Sequence, residues 1–547
     1  MRKYTVGIDY GTLSARAVVM DAESGEIIST AVSEYPHGVM DKQLPSGAVL
    51  AAGTVLQDAE DHAQALSAIR TAVEASGVPT ESIVGLGIDF TGCTMLPVDR
   101  DMRPLSTLEK YKNEPHAYVK LWKHNSASAE GEELDRLAKE RGESWLSYYG
   151  GKTSAEWMFS KILQIKREAS EIYDKAYMFL NSADWIVYLL TGEITNSASF
   201  AGFKELWNEK SGFPSPEFFE ALCPDMKNII GDKVSDNIAA VGSTAGYLSK
   251  EGARLTGLRE GIPVATPILD AHASVPALGL DREGELLMIL GTSGVYLIHS
   301  KDEKRVDGIA GYMKDGIING LYTYEACQAC VGDHLDWFVK NSLPASYTDE
   351  AKERGISPHQ LLREKIENAP VGAGGLLCLE WFGGNRTPLK DLELTGAVFG
   401  LTLRTRPEEI YRAMIEGSVF GAKVIVDNFE NNGVFAKKIF ASGGIAEKDG
   451  MTMQIFADVL GREITVPKVK NSAARGSAIY AAVAAGVYGD INTAVDALGV
   501  REGKTYYPGP ENTEAYKKLY EAYLSLYRRY GEGDDNLLRG LKDICIK

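Results

Sequence analysis

Two stretches of this chain repeat one pattern, a short apolar run, a turn of glycine and small hydroxyl residues, and a second apolar run. The first centres on Gly7-Ile8-Asp9-Tyr10-Gly11-Thr12-Leu13-Ser14-Ala15-Arg16 and continues from Ala17 to Met20. In the second, the run Glu285 to Leu290 leads into Gly291-Thr292-Ser293-Gly294 and then Val295 to His299. The runs are short and rich in β-branched residues, and the link is tight, so each copy predicts a β-hairpin. A glycine turn lined with hydroxyls leaves backbone N–H groups and side-chain donors at its tip, which suits phosphate oxygens. The carboxylate of Asp9, just before the turn, suits a metal ion held beside those phosphates. Taken alone, the first stretch is equally compatible with an ordinary hairpin that has a charged rim.

The elements that follow each hairpin also correspond. After the first come a strand at 26–34, a helix at 54–76 stopped by Gly77, and a buried strand from Ile83 to Phe90. The second is followed by a strand at 317–324, a helix at 328–340, strands at 375–381 and 437–442, and helices at 407–431, 449–460 and 472–485. A meander and a crossover helix that returns to a parallel strand form a recognisable α/β unit. The repeat is far longer than a solenoid period and implies two similar domains, 1–281 and 282–547. The last forty or so residues, rich in Tyr and Lys, predict a terminal helix docked on the second domain.

Length and charge narrow the function. At 547 residues the chain is too long for one core, and its formal net charge of −17 disfavours nucleic acid or an anionic membrane as partner. No apolar run approaches the roughly 20 residues of a membrane span. The N-terminus enters a strand without a secretory apolar core, so a cytoplasmic enzyme is the expectation. Six cysteines, Cys93, Cys223, Cys327, Cys330, Cys378 and Cys545, fit a reduced compartment. The pair Cys327/Cys330 has zinc or redox spacing but no second pair, and falls where a helix is expected to begin, so it is read as structural. Neither GxxxxGK[ST] nor GxGxxG follows a strand. Where the strand at 437–442 ends, Gly443-Gly444 would let a flat ring approach the backbone, although a plain strand-to-helix turn uses the same residues.

This combination resembles the superfamily of actin, hexokinase and the heat-shock chaperone ATPases, with its duplicated ribonuclease-H-like core. Within it, the chain resembles the FGGY carbohydrate kinases over essentially its whole length. The motifs that carry the likeness are Gly7 to Thr12 with Arg16, Asp270, Gly291-Thr292-Ser293, Phe382-Gly383-Gly384-Asn385-Arg386 with Pro388, and Gly443-Gly444 with Gln454 to Gly461. Three further stretches are similar to the ribulokinase branch, namely Gly87 to Thr94, Leu121-Trp122-Lys123-His124, and Tyr149 to Lys152 with Glu156-Trp157.

The resemblance implies two domains with a nucleotide and sugar cleft between them, ATP and Mg²⁺ as cofactors, and phosphorylation of L-ribulose in L-arabinose breakdown. It implies Asp270 as general base, and Gly92, Lys204, Asp270 and Glu325 as sugar-binding residues. Asp9 and Asp270 would serve the metal, and Gly11, Thr12, Ser14, Arg16, Gly291, Thr292 and Ser293 the phosphates, with Gly332, Gly443 and Gly444 beside the nucleotide. Ordinary roles compete: Asp270 as a helix cap, Lys204 as a solvated loop lysine, Glu325 as a rim charge at a strand end, and His272 as a structural histidine. The family often has alanine near Gly92, and Arg475 stands where it usually has an aliphatic residue, which bears on pocket width and adenine packing. The alternatives are a kinase for D-ribulose, ribitol or xylulose, and a non-catalytic nucleotide-switched protein. The expected partner is a small sugar, and a homodimer is allowed.

Overall fold

The computed structural model describes residues 2–533 and 537–544, so Cys545 lies outside the described residues. The chain forms two compact units. One comprises Met1–Asp281 with Gly311–Thr323 and Val469–Arg501, and the other Arg282–Ala310, Tyr324–Lys468 and Glu502–Lys547. The chain does change unit at 281/282. The reading of 282–547 as one continuous domain nevertheless needs correction, because two later segments return to the first unit.

In the first unit, strands Tyr4–Tyr10, Ser14–Asp21 and Ile27–Glu34 form an antiparallel meander. Strand Ile83–Phe90 pairs parallel with Tyr4–Tyr10, and Pro263–Ala265 and Ile268–Leu269 pair parallel with Ile83–Phe90. Helix Ser472–Ala484, brought back from late in the chain, packs on this sheet through glycines. A β-carbon on Gly7 would lie 1.9 Å from the Ala474 carbonyl oxygen, and one on Gly87 would lie 1.9 Å from that of Ser477. On the helix side, Gly476 faces the Ala273 carbonyl, where a β-carbon would be at 1.7 Å. Backbone meets backbone here, so no side chain fits between them.

The stretch 104–160, irregular in sequence, builds a second layer of the same unit. Leu56–Gln57, Val119–Lys120, Met95–Val98 and Met178–Asn181 form a small sheet. Helices Ser128–Arg141 and Met158–Glu168 share a core with Trp145, Tyr149 and Trp157.

In the second unit the sheet runs Tyr322–Gln328, Gly294–Ser300, Glu285–Leu290, Lys438–Ser442, Ile464–Pro467 and Gly503–Tyr506, the residues from Tyr324 onward belonging to this unit. Its hairpin is antiparallel and its next two neighbours are parallel, as in the first unit. Helix Pro407–Asn431 starts at the proline, as the sequence predicts. Helix Pro510–Tyr527 docks on it, with Arg412 donating to the Tyr516 hydroxyl at 2.8 Å and that hydroxyl donating to Glu416 at 3.0 Å.

Two helices differ from expectation. The helix read at 54–76 is Ala59–Gln64 followed by Ser67–Ser76, because Asp58 accepts the Glu60 N–H and caps a new start after the strand Leu56–Gln57. The helix read from 328 begins at Asp333. The N–H groups of Val331, Gly332 and Asp333 instead converge on the Thr292 carbonyl at 2.9 to 3.2 Å. Cys327 therefore lies in a strand and Cys330 just after it, and neither is in a disulfide among the described residues.

The glycine contacts yield a stability prediction. Gly87→Ala forces helix and strand apart and should lower the thermal midpoint clearly, in line with the ~1–3 kcal/mol typical of overpacked cores. Gly489→Ala, where an added β-carbon meets nothing within 4 Å, is the control and should leave it nearly unchanged. Equal midpoints for the two variants in a thermal-shift assay would contradict this packing.

Candidate active site

Three carboxylates reach one edge of the first sheet because three parallel strands end there. Asp9 is the register partner of Asp89, Ile268 pairs with Asp89 and Leu269 with Phe90, so Asp270 stands one residue beyond a strand end. The carboxyl ends of parallel strands are where α/β sheets take their ligands. Asp89 is fully buried, and the Ser477 hydroxyl from helix Ser472–Ala484 donates to its Oδ2 at 2.5 Å. Burial, and then the neighbouring Asp9 charge, push its carboxyl well above the usual range. Asp9 is raised too: burial lifts it, while the hydrogen bond with Asp89 and the Arg16 guanidinium pull it back. The sequence reading assigned no role to Asp89. A usable signal was present, since Gly7-Ile8-Asp9 and Gly87-Ile88-Asp89 are the same tripeptide at the ends of paired strands.

The turn at Gly11 closes the expected β-hairpin. Gly11 N–H donates to the Ser14 carbonyl at 3.0 Å, closing a four-residue loop between Tyr10 and Ala15. Arg16 pairs across from Asp9. The Thr12 carbonyl accepts from Gln57 Nε2 at 2.7 Å, and the Thr12 hydroxyl accepts from the Trp122 indole at 3.1 Å. An accepted bond from the indole leaves the Thr12 proton to donate elsewhere. Thr12, Ser14 and Arg16 are half-buried.

Sugar-type residues of the first unit converge beside these carboxylates. A β-carbon on Gly92 would lie 2.9 Å from Leu269 Cδ2 and 3.8 Å from Lys204 Cε. Gly92, Lys204 and Leu269, the residue before Asp270, thus meet at one place, and a β-carbon at position 92 would have to displace the Leu269 tip. Lys204 is not in a loop: it ends helix Ala198–Lys204, is buried, and sits 5.7 Å from the centre of the Trp157 ring. Asp270 is the first residue of helix Asp270–Ala277, and its Oδ1 accepts its neighbour's N–H, from Ala271, at 2.8 Å. His272 is buried against Phe203 with ring centres 4.5 Å apart, a structural setting.

In the second unit, the turn at Gly291 has one residue fewer: Gly291 N–H donates to the Ser293 carbonyl at 3.0 Å, between Leu290 and Gly294. Gly332 and Gly443 pack against it. Added β-carbons would lie 2.8 Å from the Gly291 oxygen and 2.6 Å from the Leu290 oxygen, respectively. Gly443 has φ +91°, and Gly444 beside it opens onto free space. Glu325 belongs to this unit. It lies within strand Tyr322–Gln328 and is buried, not a rim charge at a strand end, with the Cys327 thiol 3.4 Å from its Oε1. Arg475 belongs to the first unit, where its guanidinium donates to the Leu498 carbonyl at 2.8 Å. It is buried in that unit.

The donor set fits a divalent cation. Asp89 Oδ1 is buried with no hydrogen-bond partner, and Asp9 and Asp89 stand side by side with the Asp270 charge adding to the same field. Among the described residues no three His, Cys, Asp or Glu side chains form a complete metal cage. No described helix is long and apolar enough to cross a membrane.

Removing the Ser477 hydroxyl strips a buried carboxyl of its donor. Ser477→Ala should lower the thermal midpoint, by the ~1–3 kcal/mol typical of an orphaned buried polar group, while Ser477→Thr should retain most of it. Calorimetry on the two variants checks this.

The sequence matches the N-terminal domain of the FGGY family of carbohydrate kinases over residues 4–277 and its C-terminal domain over 286–485. It is 44% identical to a ribulokinase of Bacillus licheniformis over 538 residues, covering 97% of each chain. To a ribulokinase of Staphylococcus aureus (strain Newman) it is 37% identical, covering 100% of this chain and 99% of the other. Among solved structures, a gluconate kinase from Lactobacillus acidophilus superposes with a TM-score of 0.80 at 20% identity, over 97% of this chain and 100% of that one. A xylulose kinase from Rhodospirillum rubrum gives 0.78 at 24% identity, over 96% and 98%. At such identities the likeness is one of fold.

Proposed function

We propose that this chain, which belongs to the FGGY family of carbohydrate kinases, transfers the γ-phosphoryl group of ATP to the terminal hydroxyl of L-ribulose, a step of L-arabinose breakdown. The observation that carries the reading is the meeting of Gly92, Lys204 and Leu269, the residue before Asp270, beside the strand-end carboxylates. The extent of identity with ribulokinases supports the choice of sugar.

In the reaction the sugar oxygen forms a bond to the γ-phosphorus as the bridging bond to the β-phosphate breaks. The hydroxyl proton passes to Asp270. A carboxylate is a weak base at neutral pH, which suffices because phosphoryl transfer runs through a loose transition state and the proton leaves late. Lys204, buried at the end of its helix, anchors the sugar hydroxyls, with Glu325 assigned to the same substrate. Thr12, Ser14 and Arg16 hold phosphate oxygens through hydroxyl and guanidinium donors, and Gly291, Thr292 and Ser293 serve the same nucleotide. Gly444, where an added β-carbon meets nothing within 4 Å, leaves space for the adenine, and Gly332 and Gly443, packed on the Gly291 turn, are assigned to the same nucleotide. Asp9 and Asp270 are the residues we assign to Mg²⁺, which when bound neutralises phosphate charge. A cytoplasmic homodimer completes the reading, and light scattering tests the dimer.

Asp270→Asn should leave ATP binding within about twofold and cut turnover by at least ~10³-fold, since it removes the proton acceptor; near-normal turnover would remove Asp270 from the mechanism. Asp9→Asn should raise the Mg²⁺ concentration needed for half-maximal rate, and an unchanged Mg²⁺ dependence would count against its metal role. Coupled ADP release with L-ribulose, D-ribulose, xylulose and ribitol ranks the acceptors. The absence of stimulation by every sugar would instead favour a nucleotide switch.

A further inference from the structure

A lysine that sequence alone would leave on a surface lies fully buried in the first unit. Lys161 sits in helix Met158–Glu168, with its Nζ donating to the Cys93 carbonyl at 2.7 Å and to the Leu121 carbonyl at 2.9 Å. Taking an ammonium out of water is costly unless its donors are satisfied. Burial lowers its pKa to about 8. Here two carbonyls from segments far apart in sequence take the place of water.

Both segments lead to the active site. Cys93 directly follows Gly92 and has φ +59°, a left-handed conformation uncommon for a non-glycine residue. The rest of the turn is braced at its ends: Thr91 N–H donates to the Tyr10 carbonyl at 3.2 Å, the Thr91 and Thr94 hydroxyls lie 2.7 Å apart, and Ser182 N–H donates to the Thr94 carbonyl at 2.8 Å. The Cys93 carbonyl, at the left-handed residue, is held by Lys161. Leu121 directly precedes Trp122, whose indole donates to the Thr12 hydroxyl. One helical turn before Lys161, on the same face, Trp157 lies under the Lys204 ammonium.

We propose that Lys161 is a positioning residue that clamps the Gly92 turn and the Trp122 segment to one ammonium, so that the sugar pocket and the phosphate turn are held in register. It touches neither substrate. The inference rests on the proposed sugar-kinase reading, and a wild-type enzyme that phosphorylates no sugar would defeat that reading before any variant is compared.

The test is steady-state kinetics of full-length wild type, Lys161→Met and Lys161→Gln with L-ribulose and ATP, on samples whose folded fraction is set by circular dichroism and active-fraction titration. Lys161→Met keeps the length of the side chain and removes its donors. We expect its KM for sugar to rise about tenfold or more and its KM for ATP by about threefold, with kcat per folded enzyme within about threefold. Lys161→Gln, which keeps an N–H donor, should fall between. A purely structural role would instead lower the yield of folded enzyme with both KM values unchanged, and that result overturns the proposal. Should neither variant give folded protein, Lys161 is a folding residue and the positioning role is rejected.

Discussion

In the first unit, helix Ser472–Ala484 lies backbone to backbone on strands Tyr4–Tyr10 and Ile83–Phe90, with glycine at the contact points. Much follows from it. A β-carbon at Gly7 or Gly87 would overlap a helix carbonyl, so the strands that end in Asp9 and Asp89 carry glycine two residues before each aspartate. The same approach brings the Ser477 hydroxyl within reach of Asp89. Packing and electrostatics are thus one arrangement, because the helix that closes the sheet also supplies a donor to its most buried carboxyl.

That carboxyl shows how the site stores its charge. Asp9 and Asp89 are neighbours on parallel strands, and removing both from water disfavours charging them together. Ser477 and Arg16 offset part of the cost from opposite sides. The remaining negative field, with Asp270 contributing, lies beside the donor-rich turn at Gly11 to Ser14. Carboxylates and hydroxyl and guanidinium donors thus stand next to one another at this end of the sheet.

Much of this was legible in the chain itself. The hairpins, the strand Ile83–Phe90 and the helix Pro407–Asn431 follow from alternation, periodicity and a proline at a helix start. The tip residues Gly11, Thr12, Gly291 and Ser293 could be named because turn chemistry is local. Lys204 and Glu325 were named as sugar-binding residues from the resemblance, with a loop and a strand end as their expected settings. Their burial depends on Trp157 and on neighbouring strands, which are remote in sequence. Cys327 and Cys330 were expected at a helix start, yet the Thr292 carbonyl, about forty residues earlier in sequence, draws three N–H groups and delays the helix to Asp333.

Sequence by itself determined the duplicated strand–turn–strand plan and the glycine-hydroxyl turns, because each is a property of a few consecutive residues. Tertiary structure alone decided that residues 469–501 complete the first unit, that Asp89 joins the carboxylate set, and that a lysine at 161 is buried between two carbonyls. The reason is physical. Turn conformation and amphipathic period are set by neighbours along the chain, whereas burial, charge pairing and backbone-to-backbone contact are set by segments that meet only when the chain has folded.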